Sequence, residues 1–213
     1  MTAVSPDALG HVVGTEDELR SIVSAPTGYV VDKELDHIDQ FARAFIAHSP
    51  FFVLATADAD GRLDATPRGD PPGFVHVLDD KHLLIPDRKG NHRVDSMRNI
   101  LSNPRVGTLF LIPGREDSLR INGRATITSD PDLLAPLEFK GKPPKLGILV
   151  EAEEVFFQCA AALNRSHLWK SEHWPDPSSV VSLGTALIEQ AKMEGVTAEE
   201  LDEGLEGWNA NPY

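Results

Sequence analysis

The sequence predicts a mainly β protein in which a small antiparallel barrel carries peripheral helices. Three observations predict this fold. About six or seven short segments have the apolar, β-branched or alternating character of strands, turn-forming residues separate them, and one helical segment interrupts them midway. With 213 residues, the chain can bury one main core without help from metals or disulfides.

A helix and a hairpin are expected to open the barrel domain. Apolar residues recur at helical spacing over residues 35–48, and Pro50 ends that helix. Residues 51–56 are aromatic and β-branched, which is typical of a strand. A turn at residues 58–61 then allows residues 62–68 to pair back as a second strand.

Strands are predicted on both sides of a central helix. The helical period falls on residues 94–101, and Asn103-Pro104 ends that helix. Gly123 lies inside a strand pattern and predicts a bulge or bend. The remaining strands are predicted at residues 74–78, 82–85, 106–112, 119–128 and 146–157.

The barrel domain is expected to span residues 35–158, with an appendage at each end. Residues 1–34 mix Pro, Gly and Ser with isolated apolar residues, so we expect them to wrap over the outside of the domain. Residues 159–213 are expected to form a helical extension. It should begin with a helix near Cys159 and continue as one or two acidic helices over residues 183–206.

Composition excludes several classes of partner. The formal net charge of −13, from 33 acidic and 20 basic residues, should repel nucleic acid and anionic membrane surfaces. Neither a signal peptide nor a membrane-spanning run is predicted, and the single Cys159 fits a reducing compartment, so we expect a cytoplasmic protein. Cys159 is expected to be a small buried residue on a helix face. No ligand pattern predicts a metal site, including the pair His76 and His82.

The chemical signal is a basic cluster in the middle of an acidic chain. It comprises five residues within 18 positions: Arg88, Lys89, Arg93, Arg98 and Arg105. Asn91 is a good N-cap for the following helix, whose free N–H groups and positive dipole end attract anions. The pattern therefore predicts that a phosphate monoester binds at Arg88-Lys89-Gly90-Asn91. A solvated turn whose charges face water is the alternative.

Three segments resemble those of the pyridoxamine 5′-phosphate oxidase-like split-barrel flavoproteins, in the same order and spacing over residues 50–128. The segments are Phe51-Phe52-Val53-Leu54-Ala55-Thr56 with Ala65-Thr66-Pro67-Arg68, then Asp87-Arg88-Lys89-Gly90-Asn91 with Asn103-Pro104-Arg105-Val106-Gly107, then Leu119-Arg120-Ile121-Asn122-Gly123-Arg124-Ala125. The resemblance implies an antiparallel Greek-key split barrel that binds FMN and forms a homodimer with the flavin at the subunit interface.

The resemblance also implies roles for individual residues. Arg88 and Lys89 would bind the FMN phosphate, supplemented by Asn91 and Arg93. Thr66, Pro67 and Arg68 would line the flavin ring and ribityl chain, and Ser118 would contact the flavin from the partner subunit. A guanidinium at Arg68 could stabilise the negative charge that develops at the flavin N1–C2=O edge on reduction. The alternative is a surface arginine paired with Asp70.

The segment from Cys159 to Trp169 departs from the vitamin B6 enzyme. The substrate segment Arg-x-His and the Trp-rich terminus of that enzyme are missing, so we do not expect activity on pyridoxamine phosphate. The segment is similar to a bacterial subgroup of FMN-dependent enzymes with a Cys-x-x-Ala-Leu-x-Arg-Ser-x-Leu-Trp signature. Arg165, Ser166 and Trp169 are candidates for the partner side of the flavin pocket, with ordinary interface packing as the alternative.

The expected function is an FMN-dependent oxidoreductase of a small molecule, with hydride transfer at flavin N5 and NAD(P)H as a candidate reductant. The sequence identifies no general acid or base. Two alternatives stay open: a split barrel that handles deazaflavin F420 or haem, and a non-enzymatic flavin-binding or storage protein.

Overall fold

The structure is a computed structural model that describes residues 10–210, with side chains up to residue 207. The chain divides into two compact units, Met1–Glu34 and Leu35–Tyr213. The first unit contains the helices α1 (Glu16–Ile22) and α2 (Tyr29–Asp32), neither of which was predicted. The hydroxyl of Thr15 caps α1 by accepting from the N–H of Glu18. Residues 1–9 of the predicted wrapping segment lie outside the described residues, and the wrapping stays a prediction.

The second unit is built on a seven-stranded, fully antiparallel sheet. Its strands are β1 (Phe51–Ala57), β2 (Leu63–Gly69), β3 (His76–Val77), β4 (His82–Pro86), β5 (Arg105–Leu111), β6 (Ser118–Thr128) and β7 (Gly147–Gln158). They follow the order β2-β1-β5-β6-β7-β4-β3. The predicted strands and their hairpins are confirmed, although β3 is only two residues long.

Helices surround this sheet. They are α3 (Gln40–His48), α4 (Asp95–Ser102), α5 (Pro131–Leu134), α6 (Ala161–Arg165), α7 (Leu183–Ala191) and α8 (Ala198–Ala210). The start predicted for α3 was five residues too early, because the Asp39 side chain caps the helix by accepting from the N–H groups of Phe41 and Ala42. Leu35 instead forms a β-bridge with Val155.

The strand order contains a Greek key. Strands β5, β6 and β7 are consecutive neighbours, while β4 lies beside β7 and reaches β5 through α4. This long connection brings α4 against β1, β2 and β6. The end of β4 and the start of α4 therefore lie close to the edge strand β2, where the site described below forms.

The barrel interior is filled by alternate side chains from β1, β4, β5, β6 and β7. Phe52 stacks on Phe110 at 4.7 Å and on Phe74 at 5.9 Å between ring centroids, and both Phe52 and Phe110 are fully buried. The register shifts between Asn122 and Gly123, so the predicted bulge is confirmed. A Cβ at Gly123 would overlap the carbonyl oxygen of Glu151, which explains why a glycine lies opposite the bulge.

Candidate functional site

A cleft of about 1000 Å³ opens in the second unit. Its walls come from β2, the segment between β4 and α4, the first turn of α4 and the loop before β7. Seven predicted site residues line it: Thr66, Pro67, Arg68, Arg88, Lys89, Asn91 and Arg93. Four others do not line the cleft of their own chain: Ser118, Arg165, Ser166 and Trp169.

Alternation along β2 directs one set of its side chains to the cleft. Asp64, Thr66 and Arg68 are half-buried, whereas their neighbours in the strand are exposed. The Ser96 hydroxyl of α4 donates to Asp64 at 3.1 Å and lies 3.1 Å from the Thr66 hydroxyl. Because a serine has one proton to donate, Thr66 must donate to Ser96. The lone pairs of the Thr66 oxygen are left to accept from a ligand.

Arg68 keeps unused donor capacity beside the cleft. Its side chain is 23% exposed, and its Nη1 lies 3.5 Å from Asp87 Oδ1, a marginal hydrogen bond. Its Nε is buried and has no partner among the described residues. A buried donor without an acceptor costs about 1–3 kcal/mol, so this guanidinium suits a ligand that brings acceptor atoms. The predicted alternative of a surface arginine paired with Asp70 is wrong, because Asp70 pairs with Arg88.

Asp87 lies against Arg68 in a partly buried position. Burial raises the pKa of the Asp87 carboxyl above its ordinary value, and the opposing effect of the Arg68 guanidinium is smaller. The arginine therefore offsets only part of the cost of burying this carboxylate.

Arg88 is anchored on the protein itself. Its Nε donates to Asp70 Oδ2 at 2.6 Å, and its Nη1 donates to the carbonyl oxygen of Leu137 at 2.9 Å. The Asp70 side chain is only 1% exposed, so this ion pair is buried on the carboxylate side. The pair fixes where the guanidinium faces the cleft and also holds the end of β2 against the end of β4.

The turn before α4 differs from the prediction. Asn91 is not the N-cap: the helix begins at Asp95, and the capping position is Val94, whose side chain cannot cap. The Asn91 side chain instead accepts from the N–H of Arg93 at 3.1 Å. Val94 has φ +51° and His92 has φ +62°. A left-handed conformation is costly for β-branched Val94, and such strain is concentrated at functional sites.

Only some residues of the predicted basic cluster come together at the cleft. Arg93 lines the cleft and pairs with Asp95 at 2.7 Å. Arg98 is exposed and does not line the cleft. Arg105 lies on β5 and pairs with Glu153 on β7.

One wall of the cleft, residues 139–146, was not predicted from the sequence. Phe139, Lys142 and Lys145 line the cleft together with the intervening prolines and Leu146. In the sequence, this wall is recognisable only as a lysine- and proline-rich segment. Its position depends on the pairing of Pro86 with Gly147, which sequence patterns do not reveal.

The residues assigned to a partner subunit lie around the end of β6 and the segment after β7. Ser118 is buried at the start of β6, and Ser166 donates to the carbonyl oxygen of Leu163. The Trp169 indole donates to the carbonyl oxygen of Arg115 at 2.6 Å, and Arg165 is exposed. Cys159 was expected to be buried on a helix face, but it is exposed and precedes α6.

No group of three or more His, Cys, Asp or Glu side chains could hold a metal ion within residues 10–207. Among the helices of the part of the chain that the structure describes, none is long and apolar enough to cross a membrane.

The fold is a split barrel with a cleft lined by basic side chains beside its edge strand β2. The family model described as pyridoxamine 5′-phosphate oxidase matches residues 38–159, more than half of the chain, and the protein belongs to this family. No curated protein matches the sequence.

Three of the similar solved structures are bacterial proteins. HupZ of group A Streptococcus is 20% identical, with 57% of this chain and 94% of that chain covered at a TM-score of 0.47. A candidate pyridoxamine 5′-phosphate oxidase of Lactobacillus delbrueckii is 23% identical, with 58% and 98% covered at 0.46. An FMN-binding protein of Syntrophomonas wolfei is 12% identical, with 55% and 82% covered at 0.44. At these scores the similarities carry no conclusion about ligand or activity.

Proposed function

We propose that this chain is an FMN-dependent oxidoreductase that acts on a small molecule other than pyridoxamine phosphate. One observation carries the proposal: in a chain of this family, seven of the eleven residues expected at the cofactor line a single cleft. The cleft volume of about 1000 Å³ is sufficient for a ligand of the size of FMN.

The donors and acceptors around the cleft fit FMN. Arg88 and Lys89 would hold the phosphate, with Arg93 and the Asn91 turn beside them. Arg68 would use its unmet donor capacity on the acceptor atoms of the flavin ring, and Thr66 would accept a hydrogen bond from a ring N–H or a ribityl hydroxyl. When bound, FMN supplies hydride transfer at its N5.

The protein side of the chemistry is charge stabilisation and orientation. The guanidinium of Arg68 is held near the half-buried Asp87, so it can lower the energy of negative charge on a bound ring. Cleft residues that could serve as a general base are His92 and the carboxylates. Asp64 and Asp87 are already engaged by serine or arginine. NAD(P)H is the candidate reductant.

We further propose that the functional unit is a homodimer with the flavin at the interface. Four residues expected at the flavin lie off the cleft of their own chain, so they could reach it only from a second copy. The outward side of β2 also exposes apolar residues, with Leu63 at 85% exposure and Ala65 beside it. Pro67 lacks an N–H donor, which disfavours edge-to-edge strand pairing and favours contact through the face.

The first experiment measures FMN binding directly. The purified protein should absorb in the flavin bands, and added FMN should lose fluorescence on binding and raise the melting temperature. Lys89→Glu should abolish FMN retention because it places a carboxylate against the phosphate, while the circular dichroism spectrum stays that of the wild type. Lys192→Glu makes the same charge change outside the cleft and should retain FMN. A protein that neither contains nor responds to FMN would contradict the proposal.

Lys89 is a better test position than Arg88. Arg88→Glu would place a second carboxylate against the buried Asp70, so loss of FMN could follow from damage to the fold. If Lys89→Glu retains FMN like the wild type, the phosphate lies elsewhere.

Anaerobic reduction with NADPH, followed by mixing with oxygen or candidate acceptors, separates an enzyme from a flavin carrier. Slow reoxidation that no acceptor accelerates would favour the carrier.

A further inference from the structure

The loop of residues 139–146, named here the lysine loop, is a geometrically fixed wall of the cleft. The N–H and carbonyl groups of Phe139 and Lys142 bond each other in both directions, at 3.2 and 3.1 Å. Lys140 and Gly141 between them have φ values of +52° and +76°, as a two-residue hairpin turn requires. At its other end, the carbonyl oxygen of Leu146 accepts from the N–H of Asp87 at 2.9 Å.

The cleft carries basic side chains beyond those assigned to the phosphate. Its lining contains six basic residues (Arg68, Arg88, Lys89, Arg93, Lys142 and Lys145) and three acidic ones (Asp64, Asp87 and Asp95). Asp70, which is not part of the lining, pairs with Arg88, so six minus four leaves two positive charges, in a chain whose formal net charge is −13. Lys142 and Lys145 are exposed and lie apart from the groups assigned to the phosphate, so their charge is a surplus on this wall.

The lysine loop combines this surplus charge with apolar surface. Phe139 is half-buried and, with Pro143 and Pro144, provides an apolar wall beside Lys142 and Lys145. The cleft of about 1000 Å³ lies at the upper end of the range for pockets that hold one drug-sized molecule. This wall therefore offers space for a second reactant, with positive charge and apolar surface to contact it.

We propose that the lysine loop is a second anion site, where Lys142 and Lys145 bind the carboxylate or phosphate group of an organic reactant while Phe139 packs against its apolar part. This inference rests on the proposed function, because the FMN phosphate is taken to occupy Arg88 and Lys89. The substrate class is thus a small organic anion.

The test uses the protein loaded with FMN and two probes with different anionic groups. Benzoate offers a carboxylate on an apolar ring, and inorganic pyrophosphate offers phosphate without an apolar part. Binding is followed by the change in visible flavin absorbance and by calorimetry, and released FMN is measured after ultrafiltration. At least one probe should bind saturably without releasing FMN, and added salt should lower the affinity for that probe. The probe that binds identifies the anionic group.

Matched variants assign the binding to the loop. Lys142→Gln and Lys145→Gln each remove one charge, and Lys192→Gln removes one charge outside the cleft. The double variant at the loop should weaken probe binding by about tenfold and leave FMN retention unchanged, whereas Lys192→Gln should change neither.

Three outcomes would overturn the inference. The first is that neither probe binds the FMN-loaded protein, and the second is that a probe binds only by releasing FMN. The third is that the loop variants weaken FMN binding as much as they weaken probe binding. The last result would assign the loop to the FMN phosphate. Failure of the wild type to bind FMN is a separate result, which removes the proposed function and the second site with it.

Discussion

At the scale of single residues, the ion pair between Arg88 and Asp70 joins stability to cofactor binding. One partner is nearly inaccessible to solvent, and the other reaches from that buried carboxylate to the surface of the cleft. A buried carboxylate without its partner is costly, so Arg88 cannot be exchanged for function alone. The neighbouring Lys89 is exposed and also lines the cleft.

We expect Arg88→Ala to lower the free energy of unfolding by about 3 kcal/mol, because it removes the arginine that pairs with the buried Asp70 carboxylate. Urea denaturation measures this change. Arg93→Ala removes the exposed pair with Asp95 and should cost no more than about 1 kcal/mol. Adding Asp70→Asn to Arg88→Ala should recover part of the lost free energy of unfolding. A double variant less stable than Arg88→Ala would contradict the stabilising role assigned to this ion pair.

At the scale of elements, the bulge opposite Gly123 gives β6 and β7 a different register at their two ends. Pairing runs from Ser118 with Gln158 to Thr128 with Gly147, and β7 has one extra residue, Glu153, at the shift. The part of β7 on the Thr128 side of the bulge pairs with β4, and the lysine loop leads directly into it.

Gly123→Ala should be strongly destabilising, by about 3 kcal/mol or more, because the new Cβ would overlap the carbonyl oxygen of Glu151 across the bulge. Gly204→Ala is the matched control, since a Cβ there meets nothing within 4 Å and α8 should gain up to about 1 kcal/mol. Thermal and urea unfolding of both variants provide the measurement. Equal stability of the two variants would show that the strands can shift to accommodate the methyl group.

Sequence patterns predicted the strands well because alternation is local, and each strand buries one face whichever neighbour it has. Gly123 is a clear example, since a glycine inside an alternating segment indicates a bulge by itself. The cap of α4 could not be predicted in the same way. Asn91 has the right chemistry, but the chain turns through left-handed residues at His92 and Val94 before the helix begins.

The ion pairs of the cleft also could not be predicted from the sequence. Arg68 is only two residues from Asp70 in the sequence, whereas Arg88 is 18 residues away. Asp70 nevertheless pairs with Arg88, because the end of β2 packs beside the end of β4. The lysine loop was missed for the same reason. Its residues become part of the site through the non-local pairing of Pro86 with Gly147.

At the scale of the whole molecule, the chain supplies two different sets of residues to the proposed cofactor site. The cleft set contains Lys89 and its neighbours, and the second set includes Arg165, which is exposed in the segment after β7. If each flavin lies between two copies, every site takes one set from each subunit. Defects in the two sets should then complement each other in a mixed dimer.

This complementation separates a shared site from ordinary interface packing. We expect Lys89→Glu and Arg165→Glu each to form dimers that retain no FMN. In a mixed dimer, one cleft carries both defects and the other carries neither, so the purified mixed dimer should bind one FMN where the wild type binds two. Differently tagged subunits allow its isolation, and flavin absorbance gives the stoichiometry. If both residues served the cleft of their own chain, each cleft would carry one defect and the mixed dimer would bind none. Normal FMN retention by the Arg165→Glu dimer would remove Arg165 from the site and leave the cleft to its own chain.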